Sequence, residues 1–371
     1  MTRVGLLALG VLLLAACGAG QKKVEAPSLP PANPQAVSKM VQGVQSAQSS
    51  KDAGSKEHAI SLLQDAVAAD PGLWEAHYNL GILLADKGDL KPAERELSNA
   101  AKLAPNAEDV AVALSEVRRR QGDSGGGIDA LEGFVKQNPD AKVASVALVT
   151  ALREGGRVKE AIEQAQRVLV YHSSDPFALS ELALANMEQD EVDTAELLIE
   201  EALKADSKSA VVERAAGLIS LRKGEDAVAF KHFQRASELD PKDTTARLNT
   251  GTVLLQAGVN DKAAQEFRAV LEVEPESIDA MLGLAAARRG QGKRDDQSGF
   301  LEAEKLLKAV LDREPKNLDA TFNLAILYTD YLKRPSDATP LLQRFLDDAP
   351  KTHPGRLEAE RLMSGAQTAK K

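Results

Sequence analysis

The 371-residue sequence predicts an all-α protein built from one repeated helical hairpin, and three observations carry that expectation. Aromatic residues make up only 4% of the chain, while Ala, Leu, Glu, Lys and Gln abound, a helix-forming composition poor in what strands favour. Pro71, Pro105, Pro139, Pro241 and Pro275 are spaced by 34 residues or three times that, with Ser173 and Ser207 at the two steps between. Pro315 and Pro350 continue the series after insertions of six residues and one. Within most steps a small residue recurs at the eighth position and Ala at the twentieth, which lets two antiparallel helices approach closely. A bulkier side chain there would overpack by ~1–3 kcal/mol. A fixed period held across some 200 residues marks an array of stacked units, not one enclosed core.

The chain opens with Met-Thr-Arg, an apolar run of 13 residues from Val4 to Ala16, and Cys17-Gly18, the charged, apolar and small-residue order of a secretory signal. The run is too short for a bilayer core, which needs roughly 20 residues of helix. Leu14-Ala15-Ala16-Cys17 resembles the bacterial lipobox, and the chain's one cysteine falls at the position that motif requires. The resemblance implies that residues 1–16 are a cleaved lipoprotein signal peptide and that Cys17 becomes the acylated N-terminus, since two or more acyl chains give stable anchoring. Gly18 in place of Asp implies, by the same resemblance, an outer-membrane lipid anchor with the protein facing the periplasm. Residues 17–39, with Pro27, Pro30, Pro31 and Pro34, are expected to form a tether without helix. At ~3.1 Å per residue such a segment reaches roughly 60 Å.

From residue 40 the period divides the chain into units 40–73, 74–107, 108–141, 142–175, 176–209, 210–243, 244–277, 278–317 and 318–352. Unit 74–107 is the clearest, with Trp74, Leu80-Gly81, Ala93, Leu97, Ala100 and Pro105. Units 210–243 and 244–277 repeat it with Gly217, Ala229, Phe233, Ala236 and Pro241, then Gly251, Ala263, Phe267, Val270 and Pro275. These motifs resemble the tetratricopeptide repeat over residues 40–352. That resemblance implies a right-handed superhelical solenoid of about nine hairpins. Unit 40–73 reads as a frayed end cap because Gly43, Ser46, Ser49 and Ser50 weaken its first helix. Units 142–175 and 176–209 lack the closing proline and are expected to be looser. The six-residue insertion falls near 293–299 and the single one near Arg334-Pro335. Residues 353–371 read as a polar capping helix and tail, needed because the last apolar face of an array has no neighbour.

The formal charge is −9, and −10 once residues 1–16, whose only charged side chain is Arg3, are removed. Such a balance argues against nucleic acid, which needs clustered cations; the one basic run, Arg118-Arg119-Arg120, reads as a solvated helix end. With a single Cys there is no internal disulfide and no cysteine metal cage. Gly122-Asp123-Ser124-Gly125-Gly126 looks like the nucleophile loop of chymotrypsin-type serine proteases, but that chemistry needs a histidine base and a buried Asp on a β-barrel. Here the stretch lands at an inter-helix turn, where Gly and Asp are ordinary breakers. No phosphate-cradling glycine loop or zinc-binding His pair occurs, so neither enzyme activity nor a cofactor or metal is expected.

In tetratricopeptide arrays the second, fifth, sixth, ninth and twelfth positions of each first helix line a concave groove. On this chain the resemblance places there Tyr78, Asn79 and Ile82; Phe177, Leu184 and Met187; Arg214, Leu218 and Leu221; Leu248, Asn249 and Leu255; and Phe322, Asn323 and Ile326. Asn at the sixth position often contacts a bound peptide in that family, whereas the two cations of a chaperone-type carboxylate clamp are not evident beside it. A mainly apolar groove with an isolated Arg214 implies protein partners. The expected function is a lipid-anchored envelope scaffold for periplasmic or outer-membrane proteins. Similar parts occur in the tetratricopeptide lipoproteins of myxobacterial gliding motility and of type IV pilus assembly; an adaptor for peptidoglycan synthases or hydrolases is the alternative.

Overall fold

The computed structural model describes residues 31–49, 53–293 and 296–368, so the predicted signal peptide, Cys17 and most of the tether lie outside the described residues. Among the described residues there are nineteen α-helices, one π-helical turn and no strand, as the composition and period predict. The chain forms two compact units, one closing at Ala205 and one opening at Asp206.

The first unit holds five hairpins: α1 (Pro34–Ser49) with α2 (Ala53–Ala69), α3 (Trp74–Lys87) with α4 (Leu90–Leu103), α5 (Glu108–Arg120) with α6 (Ser124–Gln137), α7 (Lys142–Glu154) with α8 (Val158–Tyr171), and α9 (Pro176–Glu188) with α10 (Val192–Ala205). The second holds α11 (Ala210–Arg222) with α12 (Asp226–Leu239), α13 (Thr244–Gln256) with α14 (Asn260–Val273), α15 (Ile278–Gln291) with α16 (Ser298–Arg313), and α17 (Leu318–Ile326), which runs into the π-turn Leu327–Tyr331, with α18 (Pro335–Asp348). A last helix, α19 (Arg356–Thr368), follows.

The small-residue pattern does what its spacing requires. The twentieth-position alanines Ala59, Ala93, Ala161, Ala195, Ala229, Ala263, Ala303 and Ala338 are all fully buried. At the eighth position the missing side chain makes room for a partner on the second helix: Gly81 lies against Leu97, Gly217 against Phe233 and Gly251 against Phe267. Bulk is exchanged between positions from hairpin to hairpin, for where the eighth position is Val149 the twenty-fourth is Ala165, both fully buried in one cluster. Gly127, which replaces the usual Ala, fits the same logic, since a Cβ there would sit 2.9 Å from the Ser115 carbonyl oxygen.

Six of the turns between the two helices carry a second 34-residue signal. Gly88, Gly122, Gly156, Gly224 and Gly258 adopt left-handed φ values of 72–94°, and Asp190 holds the same place at 67°. The hairpins without a closing proline are as regular as the rest. The first helix that follows each is capped by a side chain, as it also is after Pro241 and Pro275: Asp175 accepts from the backbone N–H of Phe177 and Ala178, and Ser209 from that of Val212.

Three boundaries differ from the sequence reading. Helix α1 begins at Pro34, not after residue 39, because proline is well accommodated in a first turn, where its missing N–H is no loss. Asn33 fixes that start, accepting from Gln35 N–H at 2.9 Å and donating to Ala69 O at 3.1 Å. As a result Gly43 takes the place against Leu63 that Gly81 takes against Leu97, and Ser46 and Ser49 fall in the last turn of α1. The insertion after Gln291 ends at Gln297, with Ser298 and Gly299 inside α16. The single extra residue is absorbed not near Arg334-Pro335 but within the first helix, as the π-turn, where Leu332 N–H donates to Leu327 O. The left-handed residue, here Lys333, therefore comes one position late.

The final helix caps the second unit as expected. Ala359, Leu362 and Met363 are buried, and Arg356 donates to the carbonyls of Leu346 and Ala349 at the end of α18.

Candidate functional site

In the first unit the predicted groove is partly filled. First helices of consecutive hairpins pack side by side, α3 on α5 and α7 on α9, and enclose residues the repeat pattern places on the groove. Tyr78 is 1% exposed, Asn79 4% and Leu184 6%, so these three are packing residues here and do not line an open groove. The Asn79 amide donates to the Glu75 carbonyl of its own helix at 2.7 Å. Burial, reinforced by the nearby Asp109 charge, pushes the Tyr78 hydroxyl above its ordinary pKa. Ile82 and Met187 are half-buried and Phe177 is 38% exposed, so these three remain on the surface.

The same unit shows what a cation on a first helix does when acids face it. Arg153, at the twelfth position of α7, donates through Nε to Glu181 and through Nη1 to Glu188, each at 2.8 Å. Burial opposes its charge, but the two carboxylates more than offset that and hold its pKa above the ordinary arginine value.

The second unit keeps an accessible groove. Leu248, Asn249 and Leu255, with Thr245 and Thr252, form one wall of a cleft of about 410 Å³. Asp279, Leu282 and Gly283 of α15 form the other, over Phe267. Further along, Phe322 and Ile326 of α17 are half-buried, Phe322 stacking on Phe345 at 4.7 Å between centroids. Asn323 donates to the Asp319 carbonyl at 2.9 Å and accepts from Arg289 Nη1 at 3.0 Å. On α11, Leu218 and Leu221 are half-buried beside Phe230, Phe233 and Val253. Arg214 is not the isolated groove cation the sequence suggested: it pairs at 3.2 Å with Asp243, whose carboxylate also caps α13 by accepting from Ala246 N–H.

Asp279 and Leu282 line the cleft without having been predicted, while Arg289 adjoins it by bonding Asn323 and carries the Tyr331 ring beside it. The first three are the second, fifth and twelfth positions of unit 278–317, so the same counting reaches them. Tyr331 lies on the π-turn, which repeat phase does not foretell.

The other chemistry-bearing residues serve the scaffold. Ser124 is the first residue of α6, and the Asp123 carboxylate accepts from Gly126 N–H at 2.9 Å as that helix's cap. His77 bonds Glu96 at 2.7 Å and the Pro71 carbonyl at 3.1 Å, and His232 bonds Glu213 at 2.7 Å. Among the described residues no cluster of three or more His, Cys, Asp or Glu is placed to hold a metal, and no helix is long and apolar enough to cross a membrane.

No curated protein matches the chain in sequence. Among solved structures, a chain of the APC/C hetero-tetramer Cut9–Hcn1 superposes with a TM-score of 0.61 at 14% identity, covering 88% of this chain. The present chain spans 62% of that one's length, and the likeness is one of fold. A tetratricopeptide repeat protein from Parabacteroides merdae gives 0.45 at 16% identity over 70% of this chain and 98% of its own. YrrB, described as a tetratricopeptide protein with an unusual peptide-binding site, gives 0.38 at 21% identity over 52% and 96%. The tetratricopeptide repeat family model matches residues 45–108, 112–178, 146–210, 248–297 and 294–353. With its hairpins, small-residue contacts and turns accounted for by that repeat, the chain belongs to the tetratricopeptide repeat family.

Proposed function

We propose that the protein is a non-catalytic interaction scaffold, tethered through a lipid on Cys17 at the periplasmic face of the outer membrane, where it assembles an envelope machine such as a gliding-motility or type IV pilus apparatus. The observation that carries the interaction reading is the groove of the second unit, where Leu248, Leu255, Leu282, Phe322 and Ile326 stay half-buried beside the amides of Asn249 and Asn323. Half-exposed apolar residues on consecutive first helices, with polar groups between them, suit a partner segment laid along the groove. The lipobox resemblance at Leu14 to Cys17 supports the anchor, and the acidic balance supports protein in preference to nucleic acid as the partner.

Two variants test the halves of this reading separately. Cys17→Ser, followed by labelled palmitate and membrane fractionation, should abolish acylation and release the protein from the membrane; undiminished labelling would refute the anchor. Leu248→Asp with Leu255→Asp should leave the protein folded and acylated but remove the proteins that crosslink to it in membranes. An unchanged set of crosslinked proteins would refute the groove.

A further inference from the structure

We propose that Arg289 is a binding point for a carboxylate carried by the partner, so that the groove of the second unit selects a segment in which an acidic group lies next to apolar residues. The inference rests on the groove reading above and adds the chemistry of what the groove accepts.

The argument begins from a repeat-phase match. Arg153 and Arg289 both occupy the twelfth position of a first helix, and both reach the sixth position of the next one. For Arg153 that position is Glu181, met at 2.8 Å, and Glu188 supplies a second carboxylate at 2.8 Å. For Arg289 the position is Asn323, met at 3.0 Å, which is neutral. Its other contact is the Tyr331 ring, whose centroid lies 5.8 Å from the guanidinium carbon, and Tyr331 in turn leans on Phe300 at 5.1 Å. No carboxylate among the described residues pairs with Arg289. Glu302 on α16 is engaged elsewhere, pairing with Arg288 at 2.6 Å and Arg268 at 3.3 Å.

Arg289 is therefore a half-buried cation oriented by an amide and an aromatic face, with most of its five N–H donors uncommitted. The first unit shows that this register brings a carboxylate to 2.8 Å of the guanidinium when one is supplied in cis. Among the described residues of the second unit none supplies that carboxylate, and the partner does. Leu282, Phe322 and Ile326 beside it offer apolar contact to the residues flanking that acid. A side-chain carboxylate and a chain-terminal one present the same group to this point.

The test selects random 12-residue peptides against the full chain, using one library fused at both ends and one with a free C-terminus. Binders should come from at least one library: Asp or Glu enriched beside apolar residues in the double-fused one assigns the acid to a side chain, and binders from the free-ended one alone, apolar near their last residue, assign it to the chain end. A synthetic peptide from the selection should bind Arg289→Gln about tenfold more weakly, the scale of a charge-assisted hydrogen-bonded pair. Arg289→Lys should recover part of the loss, and the melting temperature of Arg289→Gln should match that of the parent. Double-fused binders without acidic residues, or equal affinity for the parent and Arg289→Gln, would overturn the carboxylate site while leaving the groove standing. Recovery of no binder that Leu248→Asp abolishes would overturn the groove and, with it, this inference.

Discussion

Arg153 and Arg289 are the same residue in the same repeat position, one in each compact unit, and their surroundings differ chiefly in what the next hairpin presents. Arg153 meets Glu181 and Glu188, so its charge is neutralised inside the protein; Arg289 meets Asn323 and the Tyr331 ring, so its charge is not. The difference shows how a repeat array divides labour. Backbone geometry is set by the small residues that every hairpin shares, while one side chain at a fixed register decides whether a cation is internal glue or a contact left for a partner.

The largest expected effect tests the glue. Arg153→Gln would leave Glu181, itself nearly buried, without its cation, and removing one member of a buried pair costs about 3 kcal/mol or more. Urea unfolding should show a loss of that order for Arg153→Gln, against less than ~1 kcal/mol for Arg289→Gln. Equal losses would mean that the two arginines are not the contrast drawn above.

The second unit holds the inverse arrangement, an acid enclosed by cations. Glu304 accepts from the Tyr328 hydroxyl at 2.9 Å and from Lys308 Nζ at 2.7 Å, and Arg334 approaches at 3.2 Å, bracing the π-turn against α16 and the start of α18. Burial raises the pKa of this carboxyl, yet its partners outweigh burial and hold it below the ordinary glutamate value. The sign follows from linkage: the folded state binds its proton less readily than the unfolded state does. The stabilisation is thus present above the ordinary glutamate pKa of about 4.3 and is lost as pH falls through and below it. Melting temperatures between pH 7 and 3 should fall less steeply in Glu304→Gln than in the parent, with a difference of about 1–2 kcal/mol at neutral pH. Parallel profiles would remove Glu304 as the brace.

Packing gives a loss of similar size that ought not to touch binding. A Cβ at residue 251 would meet the Phe267 ring at 2.9 Å, so Gly251→Ala should cost about 1–2 kcal/mol in denaturant unfolding. Because Phe267 also floors the groove cleft, a substitution that left stability unchanged but altered peptide affinity would show the ring to be a movable gate instead of a fixed core residue.

Much of this architecture is legible in the sequence because its causes are local. A 34-residue phase, Gly or Ala at the eighth position and Ala at the twentieth suffice to place nine hairpins, since each of those residues meets only its own hairpin. The π-turn was not legible, because an extra residue can be absorbed by a loop or by a helix, and the choice depends on Tyr328 meeting Glu304 from another element. The start of α1 at Pro34 was misread for a local reason, proline being taken as a breaker where it initiates. Groove positions could be counted, yet their exposure could not: Tyr78-Asn79 and Phe322-Asn323 hold the same register, and only packing separates the buried first pair from the half-open second. Arg214 and Arg289 make the same point for charge, since the pairing of one with Asp243 and the freedom of the other come from contacts about 30 residues away in sequence.

The smallest expected effect is the sharpest use of the comparison. Asn323→Glu would give Arg289 the carboxylate that Arg153 has in Glu181, at the same sixth position and on a helix already in register. The gain in stability should be slight, about 0.5–1 kcal/mol, because a half-exposed pair is screened by solvent and must order two side chains. Its effect on recognition should be larger than its effect on folding: with the guanidinium satisfied in cis, an acidic peptide selected on the parent protein should lose the advantage it holds over its Gln counterpart. Melting measurements and peptide titrations on the one variant separate the two outcomes. If Asn323→Glu leaves acidic peptides binding as before, the register match between the two units is geometric only, and the charge left open at Arg289 has no bearing on what the groove accepts.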